Sequence, residues 1–182
     1  RSVLVTGVQT CALPISLISD GCVLISQHAD TTGAPTACEA AGVPCVGYNI
    51  DMTSVAPNTA LTSASMDWGV YYTYAVQCML DGTAIDTDWC KGFAEGADKI
   101  TPLNDKVVAE GTEEKVKEVE DALSDGSLHV FDTSTFTVDG EELTTYEKDG
   151  TEYVSDGYFH ESEYGSAPAF DVAIDGITSI TE

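Results

Sequence analysis

Basic residues are what this sequence has least of: seven Lys and Arg stand against 31 Asp and Glu, a formal net charge of -24. So acidic a surface repels phosphate backbones and anionic lipid, which excludes nucleic-acid binding and electrostatic docking on membranes. Long apolar runs are missing too, since none approaches the ~20 residues of a membrane span. GxSxG, HExxH and a phosphate-cradling glycine loop followed by Lys are all absent, and histidine is confined to His28, His129 and His160. Six cysteines occur without a CxxC among them, so neither a zinc site nor any other metal or cofactor is expected. Cys22, Cys38 and Cys45 occupy apolar positions where a free core thiol is the default. Cys78 and Cys90 flank an expected loop and can pair in an oxidising compartment.

What is present is enough apolar sequence to fold. Hydrophobic residues make up 43% of the 182, and the acid is scattered more than blocked. The chain is organised around Cys22 to Met52. Cys22–Ser26 is a short continuous apolar run, the pattern of a strand buried on both faces. It breaks into Gln27, His28 and Asp30. Thr31 or Thr32 can cap a helix that tolerates Pro35 in its first turn and stops at Gly42. Val43–Tyr48 is a second apolar run, again ending in polar residues, Asn49 and Asp51. Strand, helix, strand with a short crossover gives a parallel pair, so both polar clusters fall at one sheet edge. Ligands bind in the crevice beyond the carboxyl ends of such strands.

Further along, Tyr71, Tyr72, Ala75, Val76 and Met79 recur at helical spacing between Trp68 and Leu80, a stripe expected to pack in the core. Phe93–Ile100 reads as a turn and a strand. Gly111 or Thr112 opens a helix with Val116, Val119, Ala122 and Leu123 on one face and Glu113/Lys117 as an i,i+4 pair; Asp125-Gly126 closes it, and Leu128–Phe131 resumes a strand. Alternating strands and helices imply an α/β domain with a parallel sheet flanked by helices. Beyond Val138, Asp139-Gly140, Asp149-Gly150 and Asp156-Gly157 punctuate short alternating pieces, the grammar of a C-terminal β-hairpin region, and the tail SAPAFDVAIDGITSI is apolar enough to dock.

The opening residues stand apart. VTGVQTCALPI is similar to the peptide that arises when a sequencing adapter is translated at the edge of a metagenomic contig, so residues 1–16, with Cys11, are set aside as non-native. Leu17 and Ile18 before Asp20-Gly21 then read as the last turn of a helix, and the chain as truncated at its N-terminus. This leaves 17–138 as an α/β solute-binding lobe with its hinge crossing and 139–182 as a hairpin-containing segment packed on it.

QHAD, GYNIDM, LTSASMDWGVYY, VFDTSTF and SAPAFDVAIDGI occur here in an order and spacing that resemble one family from Leu17 onward. It is the basic membrane protein (BMP) family of ABC-transporter substrate-binding lipoproteins, which includes purine-nucleoside receptors. The resemblance implies a partial type I periplasmic-binding-protein fold, whose two lobes close on a ligand. It also implies an extracytoplasmic parent protein at the cell surface or in the periplasm, held by a lipid anchor missing from this chain and working with an ABC permease. Asn49 and Asp51 fall where the family carries an acidic pair, one member of which binds ribose hydroxyls; Asn49 departs from Asp there. Asp30 replaces a glycine-rich turn of the nucleoside receptors, while Gln27-His28-Asp30 matches the QH-D pattern of a subgroup. Met66 replaces a residue that is Lys in those receptors and often Trp in the subgroup.

The expected function is therefore the solute-binding component of an ABC importer, taking a nucleoside or similar small hydroxylated solute in an interlobe cleft. The present chain is a fragment expected not to bind alone. Carboxylates at strand ends are acceptor-only groups suited to ligand hydroxyls. Asp51, Asn49, Asp30, His28, Gln27, Met66 and Trp68 are the candidate ligand-binding residues. A hydrolase using Asp30, Asp51 and His28 is the alternative from another class, and a non-transport sensor with the same cleft is a third reading. No catalytic residue is assigned.

Overall fold

The computed structural model describes residues 2–6, 12–161, 163–166 and 171–177. The chain divides into two compact units, Arg1–Thr73 with Glu95–Glu118, and Tyr74–Ala94 with Val119–Glu182.

The first unit is a five-stranded sheet in the order β1 (Ser2–Thr6), β2 (Leu24–His28), β3 (Cys45–Tyr48), β4 (Ala60–Met66) and β5 (Asp98–Ile100). The first four strands run parallel; β5 returns antiparallel and forms one edge. Helices α1 (Ala12–Ser19) and α2 (Gly33–Ala41) pack on each other, and α2 packs on β2 and β3. Both helices end as expected. Gly21 and Gly42 adopt left-handed φ of 87° and 69°, and the backbone N–H groups of Cys22 and Val43 donate back to Leu17 and Cys38, each at 3.0 Å. At the start of α2, Thr32 is the capping residue but makes no side-chain cap; the Thr31 hydroxyl accepts the Gly33 N–H instead, at 3.2 Å.

The core collects Cys22, Ile25, Ala34, Cys38, Cys45, Met52, Ala56 and Ala60 on one side of this sheet. That corrects the expectation of strands buried on both faces: alternate residues of β2 and β3 are fully buried, and those between are only partly covered. The helix-covered face needs Ile25 and Cys45, while the other accepts Ser26, Val46 and Tyr48 half exposed. Packing is tightest at Gly47, where a Cβ would strike the Ser63 side chain and approach Met52 Cγ to 2.6 Å. Gly47→Ala should therefore lower unfolding free energy by about 1–3 kcal/mol, the usual cost of overpacking. A denaturant midpoint that does not move would show that the strand yields.

α3 (Trp68–Asp81) forms where the spacing places it, and the N–H of Thr83 returns to the Cys78 carbonyl at 2.9 Å after Gly82. Its packing departs from expectation. Cys78 is buried, but Trp68, Tyr72, Val76, Met79 and Leu80 are 55–76% exposed. Apolar residues surround most of this helix, so one face turns inward and a second is left to solvent.

In the second unit the three Asp-Gly pairs are hairpin turns. Asp139, Asp149 and Asp156 each sit at φ 53°, with Gly140, Gly150 and Gly157 at 81–85°. Positive φ at both central residues matches the twist of the flanking strands. They join β6 (Thr137–Val138) to β7 (Glu141–Glu142), β8 (Tyr146–Lys148) to β9 (Thr151–Ser155), and β9 to β10 (Tyr158–Phe159). Leu143, Val154 and Phe159 form the buried centre of this unit, with Phe136, Tyr146 and Ile174 against it. α4 (Thr112–Asp125) runs across the expected range; Lys115 and Glu118 pair on it at 2.6 Å, and Val116, Ala122 and Leu123 are half buried. Leu128–Phe131 does not resume a strand. Leu128, Val130 and Phe131 are exposed, and only Asp132 bridges to Tyr158.

The described part of the tail docks chiefly by carboxylates. Asp175 accepts from Thr137 Oγ1 at 2.7 Å and from the N–H groups of Gly140 and Asp139 at 2.8 and 3.2 Å. Asp171 takes the Lys148 ammonium at 2.7 Å and the Tyr146 hydroxyl. The remaining tail positions, 167–170 and 178–180, lie outside the described residues. The Gly140 N–H, with Thr137, holds Asp175 below the usual carboxylate range. A depressed pKa means that docking is complete above the ordinary carboxylate value, about 4, and is lost as pH falls through the lower folded value. Asp171 is held low as well, by Lys148 and then Tyr146, so acid proteolysis should release the tail only in that lower window, and the cleavage rate should stop tracking it only when Asp171→Asn and Asp175→Asn are combined.

Candidate functional site

Register fixes which residues share an edge. Ser26 pairs with Val46 and Tyr48 with Ala64, so His28, Tyr48 and Met66 end neighbouring parallel strands on the same side. Met66 is level with Asp98 at the start of β5. The strand ends carry a connected group. Asn49 Nδ2 donates to Asp30 Oδ1 at 3.0 Å, joining the polar clusters that follow β2 and β3. Asn49 itself is in the left-handed region at φ 69°, with its N–H on the Ala64 carbonyl at 2.6 Å and its own carbonyl taking the Ser65 hydroxyl at 2.8 Å. The loop backbone is thus tied to β4, and the Asn49 amide is aimed across to Asp30. Beside it the His28 ring packs on Tyr48, centroids 4.2 Å apart.

The other expected residues scatter. Gln27 is buried on the helix-covered face, its Nε2 donating to the Thr31 carbonyl at 2.9 Å, while its Oε1 finds no partner among the described residues. It braces the loop that presents Asp30. Asp51 Oδ1 accepts the Thr53 N–H at 2.8 Å, and the residue lines a cavity of about 350 Å³ with Thr53, Pro57 and residues 102–106. Met66 is half buried at the end of β4, and Trp68 lies exposed at the start of α3, 6.3 Å from the Tyr72 ring. The three members of the hydrolase alternative are not joined: His28 meets Tyr48, Asp30 meets Asn49, and Asp51 meets Thr53.

Three residues at this edge escaped sequence reasoning. Tyr48 was read only as the end of an apolar run, although parallel register sets it beside His28. Asp67 accepts the Gly69 N–H at 2.9 Å and the Lys99 ammonium at 3.0 Å; Lys99, foremost, and then the Gly69 N–H hold its carboxyl below the usual range. Lys99 comes from β5, more than thirty residues on, and no local pattern announces it. Together these groups offer carboxylate and amide acceptors, an ammonium donor and an aromatic pair, a set suited to hydroxyls and a ring. Among the described residues no cluster of His, Cys, Asp and Glu suits a metal ion, and no helix is long and apolar enough to cross a membrane.

No family model matches the chain. It is 33% identical over 132 residues to a purine-binding protein of Brucella abortus (strain 2308), a match covering 70% of this chain and 38% of that protein. Over 132 residues it is also 26% identical to a putative ABC transporter glucose-binding protein of Haloferax volcanii, covering 70% of this chain and 32% of the relative. Among solved structures, an ABC transporter solute-binding protein from Conexibacter woesei matches with a TM-score of 0.50 at 19% identity, over 66% of this chain and 41% of that one. A transcriptional activator of the comK gene from Bacillus halodurans matches at 0.58 and 16% identity, over 65% and 42%. At those identities the structural likeness speaks for the fold alone: an α/β unit with a parallel sheet flanked by helices. The chain spans about a third of the length of the curated relatives it matches. Over that stretch it is similar to proteins named for binding small solutes, one of them as a putative component of an ABC transporter.

Proposed function

We propose that this chain forms one side of the solute cleft of an ABC-importer receptor of the BMP family, and that the solute is a nucleoside or a similar small hydroxylated molecule. The Asp30–Asn49 hydrogen bond at the carboxyl ends of β2 and β3 carries the reading, because it draws two polar loops into one acceptor surface. The His28–Tyr48 pair beside it, its rings tilted at 55°, supplies an aromatic surface for a base, and Asp30 and Asn49 receive sugar hydroxyls. A purine-binding and a glucose-binding relative bracket such a ligand, which contains both a base and a sugar. In this reading Asp51 shapes the loop behind the mouth, and Met66, Trp68 and Lys99 flank it. Gln27 acts from beneath.

The parent protein is extracytoplasmic and anchored by lipid, delivers its solute to a permease, and closes a second lobe over the mouth. Residues 1–16 are foreign to it; 17–138 belong to the lobe and hinge crossing, and 139–182 form a hairpin-containing segment. A chimera in which the matching 132-residue stretch of this chain replaces its counterpart in the Brucella relative tests the proposal. Calorimetry should show micromolar binding of adenosine by the chimera and none by the chain alone. A folded chimera that binds neither nucleoside, base nor sugar removes the site. Micromolar binding by the chain alone removes its status as half a cleft.

A further inference from the structure

Ser155, His160 and Glu163 form a hydrogen-bonded line within the second unit. The local fold puts them there. The Asp156-Gly157 turn pairs Ser155 with Tyr158 and Val154 with Phe159, and the His160 N–H returns to the Tyr153 carbonyl at 2.8 Å. Alternation along the two strands sends Val154 and Phe159 into the buried centre and sets Ser155, Tyr158 and His160 on the opposite face. The Glu161 N–H then folds onto the Phe159 carbonyl at 2.8 Å, and the turning chain brings Glu163 back beside the His160 ring.

Both imidazole nitrogens are engaged, each with a different kind of partner. His160 Nδ1 lies 2.8 Å from Glu163 Oε2, and His160 Nε2 lies 2.9 Å from Ser155 Oγ. A carboxylate only accepts, so Nδ1 carries the ring proton. In the neutral ring Nε2 is then the acceptor, and the Ser155 hydroxyl donates to it. The Tyr158 hydroxyl donates to the other Glu163 oxygen at 3.1 Å and fixes the carboxylate in turn. Burial opposes the Glu163 charge, but the bonds from His160 and Tyr158 outweigh it and hold the carboxyl below its usual range. His160 is buried, whereas Ser155 is partly exposed. A histidine satisfied on both nitrogens is ordinary. A hydroxyl, a base and an acid in this order, with the hydroxyl reaching solvent, is the arrangement that activates a serine.

We propose that Ser155 is an acyl-acceptor site: it takes one acyl group from an uncharged, activated ester, with His160 as its base and Glu163 as the residue that positions the imidazole. Ser155 Oγ bonds to the ester carbonyl carbon as its proton passes to His160 Nε2. The bond to the leaving oxygen breaks, and that oxygen keeps the electron pair. The products are O-acyl-Ser155, the leaving anion and an imidazolium, which gives its extra proton to solvent. An aryloxide leaves without being protonated, so no separate acid is needed. The net charge of -24 repels anionic donors, which is why the donor is uncharged. One molecule accepts one group, and none of the residues proposed for the solute mouth takes part.

The test treats the purified full chain with p-nitrophenyl acetate. One hydroxylamine-labile acetyl group should add, with release of an equivalent of p-nitrophenolate, and peptide fragmentation should place it on Ser155. Lability to neutral hydroxylamine separates this ester from acetylated lysine, which is an amide. Ser155→Ala should lose the group. His160→Gln should slow its appearance about a hundredfold or more, the usual contribution of a general base. The role of Glu163 is read through pH. Around the imidazole stand the Glu163 carboxylate, the Tyr158 and Tyr164 rings at 4.0 and 5.7 Å, and His129, stacked on Tyr158 at 3.5 Å. Only the carboxylate favours the charged ring, so in Glu163→Gln the loss of rate on acidification should move to lower pH. A wild type that gains no acetyl on Ser155 overturns the proposal whether or not any variant folds. So does a Ser155 rate left unchanged by a His160→Gln chain that circular dichroism shows to be folded. A pH profile that Glu163→Gln does not move removes Glu163 from the site.

Discussion

Asp30→Ala in the Brucella chimera is expected to weaken adenosine binding about ten- to hundredfold while leaving adenine binding nearly unchanged. A hydrogen bond to a charged acceptor contributes about 1.5–3 kcal/mol, and only the nucleoside carries the hydroxyls that would use it. The Asp30 carboxylate is shared with Asn49 through one oxygen, so truncation also frees the Asn49 amide to drift. Asn49→Gly, which keeps the left-handed backbone, should therefore lose a comparable amount, and the double variant less than the sum, since the two act as a unit. Asp51→Ala provides the contrast. One of its oxygens is already committed to the Thr53 turn, and it faces a different cavity, so a smaller loss is expected, shared by nucleoside and base. Calorimetry with adenosine, adenine and ribose against the three variants decides the matter. Equal losses for adenosine and adenine in Asp30→Ala would assign Asp30 to the scaffold.

The second large effect is expected in solution behaviour. Trp68, Tyr72, Val76, Met79 and Leu80 recur along one side of α3 with more than half of each side chain exposed. At ~150–250 Å² for each aromatic alone, the stripe offers several hundred Å² of apolar surface, above what a monomer ordinarily leaves open. In a chain of net charge -24, α3 carries a single acid, Asp81, so like-charge repulsion is weakest there. Light scattering should find association that grows with salt, because screening removes repulsion and leaves apolar contact intact. Tyr72→Lys with Met79→Lys should return the chain to a monomer and abolish binding of a hydrophobic dye without loss of helix content. A wild-type monomer that binds no dye would mean that the stripe is already covered.

The outline of the first unit was legible in the sequence because its signals are local. Two apolar runs, the Gly21 and Gly42 stops and a crossover too short for any other topology fix a parallel β2–α2–β3 pair, with β2 two residues later than expected and β3 starting two residues later but ending at Tyr48 as expected. The hairpins were legible for the same reason: an Asp-Gly pair states its own backbone. Burial was the weaker inference. Continuity of apolar residues in Cys22–Ser26 and the aromatic spacing of α3 both suggested full enclosure, but enclosure depends on what packs opposite, which no window of the sequence contains. At the mouth, residues close in sequence to the strand ends were found, whereas Lys99 was invisible because it arrives on an antiparallel strand from far along the chain. Asp51 also makes a local bond that its place after a strand did not announce, an Asx turn to the Thr53 N–H.

Asn49 has a consequence for how this surface can change over generations. Its left-handed backbone admits Asn, Asp or Gly readily and little else. Aspartate there, the residue of the family it resembles, would set a second carboxylate about 3 Å from Asp30. Acids at both positions would repel across that gap, so a second acid costs more there than an acid at either position alone.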